Sequence, residues 1–258
     1  MRPGHYLALV ALLAVAAGGW WYLGPRGGTE RGASIDGGDG GGLPRAAALD
    51  EHVAPDALEA VRALAQRRGV DALLVARHGH LLLEYYAAPA QQSRLRAGGA
   101  VSEALLAQLG DARPTDAAAL SSLLSTQVWR PLNAHAARLA AGQVAARADD
   151  WLRFGILLLG SGSFEGTDIT SAERIADVRY APVPPAGEAP AARDLRELRG
   201  PGNAHLWLSP VLQLALWHSG GELGGEETQL VNAVVRAIAD RPGNDAARSQ
   251  LSQLVPGH

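Results

Sequence analysis

Neither cysteine nor lysine occurs anywhere in this chain. Without cysteine there is no disulfide framework and no thiol nucleophile, though such a chain suits reducing and oxidising compartments alike. Without lysine all 23 basic residues are arginines. That excludes Schiff-base chemistry, a phosphate-loop lysine and any serine–lysine pair. An excess of one charge is missing too: the formal net charge is −3, which offers no basic face for nucleic acid and no acidic tail. What remains is ample apolar material. The 258 residues are 47% hydrophobic, enough for one domain with a sizeable core.

Residues 6–23, YLALVALLAVAAGGWWYL, carry no charge. As a helix these 18 residues reach about 27 Å, close to a hydrocarbon core of roughly 30 Å. Arg2 ahead of the run favours a cytoplasmic N-terminus, and Trp20, Trp21 and Tyr22 suit an interfacial aromatic belt. Residues 1–23 are therefore expected to be a single-pass inner-membrane anchor. The rival is a cleaved signal sequence with Ala14-Val15-Ala16 as its small-x-small site, and the plain alternative is a buried core helix. Either targeting reading places the rest of the chain on the periplasmic, extracytoplasmic side. Residues 24–44 are glycine-rich and polar and read as a flexible tether, so the folded domain is expected over 45–258.

Within that domain, residues 55–68 form a helix pattern, with Pro55 at its start and Leu58, Val61, Leu64 and Ala65 on one face before Gly69. Two apolar runs joined at 77–80 predict a β-hairpin. Helices are expected over 101–109 and 117–128, and another starting at Ala148 or Asp149 and ending at Gly160. The late runs AHLWLSP and LQLALWHSGG read as strands, while TQLVNAVVRAIAD fits strand or helix by periodicity alone. The fold class is α+β, with early and late strands sharing one antiparallel sheet.

The order of these segments has a parallel. DALLVARHGHLLLEYY (71–86), VWRPLNA (128–134), ADDWLRFGILLLGSGSFEG (148–166) and LWHSGGELGG (216–225) resemble segments of the serine β-lactamase and penicillin-binding-protein superfamily. The likeness is to its class C and esterase-like branch, and 148–166 is the most specific match. The resemblance implies a five-stranded antiparallel sheet flanked by helices plus a helical subdomain. It also implies a Ser-x-x-Lys nucleophile motif at a helix start, where the lysine takes the serine proton. Placed on this chain, that motif falls on Ala100-Val101-Ser102-Glu103, with a methyl where the nucleophile belongs and a carboxylate where the base belongs. The family's Tyr-x-Asn motif has no counterpart in the short 110–116 interval, which implies a shortened helical subdomain. His218-Ser219-Gly220 keeps a His-x-Gly shape, expected at a strand edge.

The expected function follows: a membrane-anchored, β-lactamase-related envelope protein without catalysis. It would bind a ligand or a protein partner in a remnant cleft between Ala100–Glu103 and His218, Ser219 and Gly220. The enzymatic alternative is an esterase or amidase with Ser102 as nucleophile and His218 as base. Against it, Ser102 at a helix start reads more simply as a cap, and Glu103 as a first-turn charge favoured by the helix dipole. A third alternative is a decaying gene product of marginal stability. No cofactor and no metal are expected: His78 and His80 form a His-x-His pair on a turn without an evident third ligand. Asp149 and Asp150 read as a helix-start pair, and GSGSFEG (160–166) as a turn.

Overall fold

A computed structural model of the chain describes residues 32–181, 191–221, 223 and 227–240. The predicted anchor at 6–23 lies outside the described residues, and no helix within them is long and apolar enough to cross a membrane. In chain order the elements are β1 (Ala33–Ile35), α1 (Pro55–Arg67), β2 (Val70–Arg77), β3 (His80–Tyr86), α2 (Pro89–Gln92) and β4 (Arg96–Ala97). Next come α3 (Ala100–Ala107), a one-turn 3-10 helix (Gly110–Ala112), α4 (Ala117–Leu124) and a π-helical turn (Ser125–Trp129). The middle continues with β5 (Ala137–Ala140), β6 (Gln143–Ala146), α5 (Ala148–Leu159), β7 (Ser163–Phe164), β8 (Thr167–Asp168) and α6 (Ala172–Ala176). The end is β9 (Arg196–Gly200), β10 (Ala204–Ser209), β11 (Leu214–Gly220) and α7 (Glu227–Ala237).

Early and late strands do share one sheet, antiparallel throughout, of five strands in the order β3-β2-β11-β10-β9. Its hairpin β2–β3 turns on His78 and Gly79, both at positive φ (47° and 82°), the geometry a two-residue turn needs to match strand twist. Both faces of the sheet are covered, so β2 is a run of buried side chains rather than an alternating one. Ala72, Leu74 and Ala76 point to the face packed by α3 and α5, while Leu73 and Val75 point to the face packed by α1 and α7. The ambiguous segment at 228–240 is a helix, because Leu230, Val231, Val234, Val235 and Ile238 recur at helical spacing and are all buried. On the other face Trp151 of α5 stacks on Trp217 of β11 and meets Trp129 edge-on, each at 6.0 Å between centroids.

A second sheet, β1-β5-β6-β4, was not apparent from the sequence pattern. Its hairpin RLAAGQVAA is short and alanine-rich, and the turn at Ala141-Gly142, with φ of 48° and 73°, is its clearest signal. The second sheet corrects one expectation. Part of the predicted tether is structural: Ala33–Ile35 pairs with β5, and Ile35 and Leu43 are buried. Glycine serves close approach there, since a Cβ on Gly37 would lie 2.1 Å from the Ala134 carbonyl oxygen.

Candidate functional site

The helix that would present a nucleophile begins at Gly99, whose φ of 55° and ψ of −124° turn the chain sharply into α3. Ala100 is the first helical residue and offers only a methyl group. Glu103, one turn on, is exposed. The leading turn lies flush against the end of β9. A Cβ on Gly99 would be 2.7 Å from the Gly200 Cα, and one on Gly200 would be 2.8 Å from the Gly98 carbonyl oxygen.

Ser102 is not the cap of its helix, and it is not accessible. Gly99 occupies the cap position, and Ser102 is fully buried, its Oγ accepting the Val144 backbone N–H of β6 at 2.8 Å. The hydroxyl thus does accept a backbone N–H, but from the small sheet rather than from its own helix. A Ser102→Ala variant is expected to fold with a loss of about 1–3 kcal/mol, the cost of an unsatisfied buried donor. Urea unfolding of the variant and the parent checks this, and an unchanged midpoint would show that the bond carries nothing.

His218 departs further from expectation. It sits in β11, paired on both sides by β10 and β2, so it is at the centre of the sheet and not at its edge. Strand alternation sends Trp217 to the α3/α5 face and His218 to the α1/α7 face with Trp207. The sheet itself separates Ser102 from His218. Trp207 donates its indole N–H to the His218 Nε2 at 3.4 Å, and His205 stacks on the imidazole at 4.6 Å. Burial, seconded by the charge of His205, holds His218 well below the usual histidine pKa. His205 in turn bonds Glu197 at 2.5 Å, and Glu197 pairs with Arg199. The edge strand that meets α3 is β9, where Leu198 is buried and Gly200 meets the helix start.

Two histidine clusters were only half visible in the sequence. His78 and His80 are not a bare turn: Glu51, from the segment before α1, accepts from both rings at 2.6 and 2.8 Å. Burial alone would raise the pKa of Glu51, and the two imidazole bonds outweigh it and hold it low. Among the described residues, only His135, Asp149 and Asp150 bring three metal-ligating atoms within 4.8 Å of one another. Their geometry is that of a helix cap. Asp150 is fully buried and accepts the His135 and Arg147 backbone N–H groups, while the His135 Nδ1 lies 3.1 Å from Asp150 and 3.2 Å from Asp149. Both oxygens of Asp150 are committed to the chain, whereas the Asp149 Oδ1 is buried without a hydrogen-bond partner. The predicted helix-start role of the pair therefore belongs to Asp150.

Ser219 and Gly220 line a cavity of about 240 Å³ together with Asp71, Arg94, Arg96 and Gly202. It lies behind the entry to α3, beside 94–97, and neither Ala100 nor Glu103 reaches it. The residues of the expected remnant cleft are thus divided: Ser219 and Gly220 line this cavity, and Ala100 and Glu103 do not.

No protein-family model matches the sequence, and no curated protein does. Solved structures do. A protein described as a 6-aminohexanoate-dimer hydrolase from Bacillus anthracis superimposes with a TM-score of 0.54 over 87% of this chain and 92% of its own, at 13% identity. One described as a β-lactamase from Bacteroides dorei DSM 17855 gives 0.52 over 71% and 98%, at 12% identity. The fold is β-lactamase-like. At such identity the likeness is one of architecture, and chemistry must be argued from the residues. The β-lactamase-like core explains the central five-stranded sheet and the long helix α5 across it. At the start of α3 this chain has Ala100, and it has no lysine.

Proposed function

We propose that this chain is a non-catalytic protein on a β-lactamase-like scaffold, acting by binding at the cell envelope, and held at the membrane through residues 6–23. The observation that carries the reading is Ala100 at the head of α3 in a chain without lysine. A serine–lysine mechanism needs an oxygen at the first position and a base one turn later. The methyl group and exposed Glu103 supply neither. The alternative, hydrolysis through Ser102 and His218, requires a base within about 2.6–3.2 Å of the hydroxyl. It is disfavoured by the burial of both groups and by their opposite sides of the sheet.

The test is covalent labelling of the purified full chain in detergent with a fluorescent penicillin and, separately, a fluorophosphonate. Neither is expected to label the protein on a denaturing gel. A label that vanishes in Ser102→Ala would restore the hydrolase reading.

A further inference from the structure

The cavity beside 94–97 contains an imbalance. Arg96 is 8% exposed, yet among the described residues no carboxylate lies within ion-pair distance of it. Its guanidinium donates only to neutral oxygens: the Gln91 and Arg94 carbonyls at 2.9 and 2.8 Å and the Gln91 side chain at 3.1 Å. A buried cation is costly unless paired. Asp71 lines the same cavity, but its carboxylate is engaged by Gln91 and, at 3.5 Å, by Arg94. Burial, followed by the charge of Arg94, depresses the Arg96 pKa, while Asp71, Tyr86 and Asp149 oppose the shift from further off.

A second observation concerns the same lining. Ser219 is 4% exposed, lines the cavity, and its Oγ has no hydrogen-bond partner. Buried hydroxyls are almost always bonded. The lining thus holds a buried guanidinium bonded only to neutral oxygens and a residue whose buried hydroxyl has no partner. Two arginines and one aspartate give the lining a net charge of +1, which matches a singly charged acceptor better than a phosphate dianion.

We propose that this cavity binds a carboxylate, either of a small organic acid or of a peptide C-terminus, with Arg94, Arg96 and Ser219 as its donors. A volume of about 240 Å³ admits a small ligand or the end group of a larger one. The planar fork of arginine suits a carboxylate through parallel N–H···O bonds. The proposal deepens the reading that the chain acts by binding, and the two fail separately: covalent labelling would end the non-catalytic reading and leave the carboxylate site standing.

The experiment is calorimetric titration of the full chain in detergent with acetate, N-acetylglycine, N-acetylglycinamide and inorganic phosphate. N-acetylglycine is expected to bind and its amide not to. Acetate binding as well as N-acetylglycine marks the free acid as sufficient, whereas N-acetylglycine alone marks the peptide end. Two variants preserve the fold: Arg94→Gln, because Arg94 is exposed, and Ser219→Ala, because it removes a hydroxyl that bonds nothing. Arg94→Gln should weaken binding about tenfold, the worth of one charge-assisted hydrogen bond, with the melting temperature unchanged. Ser219→Ala should weaken it by a smaller factor. No heat up to the solubility limit of the acids, equal affinity for the amide, tighter binding of phosphate, or affinity untouched by both variants would overturn the proposal.

Discussion

Trp151→Ala is expected to destabilise the protein by about 3–5 kcal/mol, the range for truncating a buried tryptophan. Trp151 is fully buried in α5 and sits between two other indoles, edge-on to Trp129 and stacked on Trp217. Its ring therefore joins the π-helical turn, the long helix and the central strand β11. The cost has two parts. Truncation leaves a large cavity that rigid neighbours cannot fill. It also strands the Arg96 carbonyl, which accepts the Trp151 indole N–H at 3.0 Å. For a chain of this size each kcal/mol moves the melting temperature by roughly 2–4 °C, so a fall on the order of 10 °C should appear by circular dichroism. Trp151→Phe keeps most of the packing and loses the hydrogen bond, and should fall by less. Equal losses in the two variants would show that the bond to Arg96, not the cavity, dominates.

The same tryptophan shows why part of this fold was readable beforehand. The pattern of α5, with its acidic first turn and apolar stripe ending at Gly160, is local chemistry and needs no knowledge of the rest of the chain. The hairpin at 70–86 and α1 were legible for the same reason. What depended on distant pairing was not. β1 finds its partner β5 across about a hundred residues, and Glu51 reaches His78 and His80 from a different segment. His218 is the most instructive residue. Its neighbourhood in sequence resembles an edge motif, but only the register with β2 and β10 shows that it is central and which face it takes. At the site, Ala100 and the missing lysine were legible in the sequence, while the packing of the helix start against β9 was not. That packing depends on Gly99 and Gly200 meeting, two glycines that look like ordinary loop residues until they touch.

The buried His218 also sets how the protein should respond to acid. Its folded pKa is far below the ordinary histidine value of 6.5, from burial first and the nearby His205 second. A histidine depressed by folding stabilises the native state above its unfolded pKa and loses that contribution as the pH falls below it. His135 acts in the opposite sense. Its bond to Asp150 raises its pKa against the opposing pull of burial, so its contribution is present below 6.5 and fades as the pH rises through its folded value. Asp149, raised by burial and by Asp150, pulls the same way as His135. The two histidines act in different windows, His135 above pH 6.5 and His218 below it, so stability should drop on going from about pH 6.5 towards pH 5, with a limiting slope of about 1.4 kcal/mol per pH unit for one proton. Carboxylates held low, such as Glu51 and Glu197, weaken the fold only below their usual range near 4.5 and leave that window clear. Melting curves across the window should therefore show a falling midpoint in the parent and a flatter or reversed one in His218→Leu, while His135→Asn should change the slope only above pH 6.5. Parallel slopes for the parent and His218→Leu would mean that the central histidine is not what acid attacks. The contrast places the acid-sensitive point of this scaffold at the middle of its sheet, on the face turned away from the helix that would have carried its chemistry.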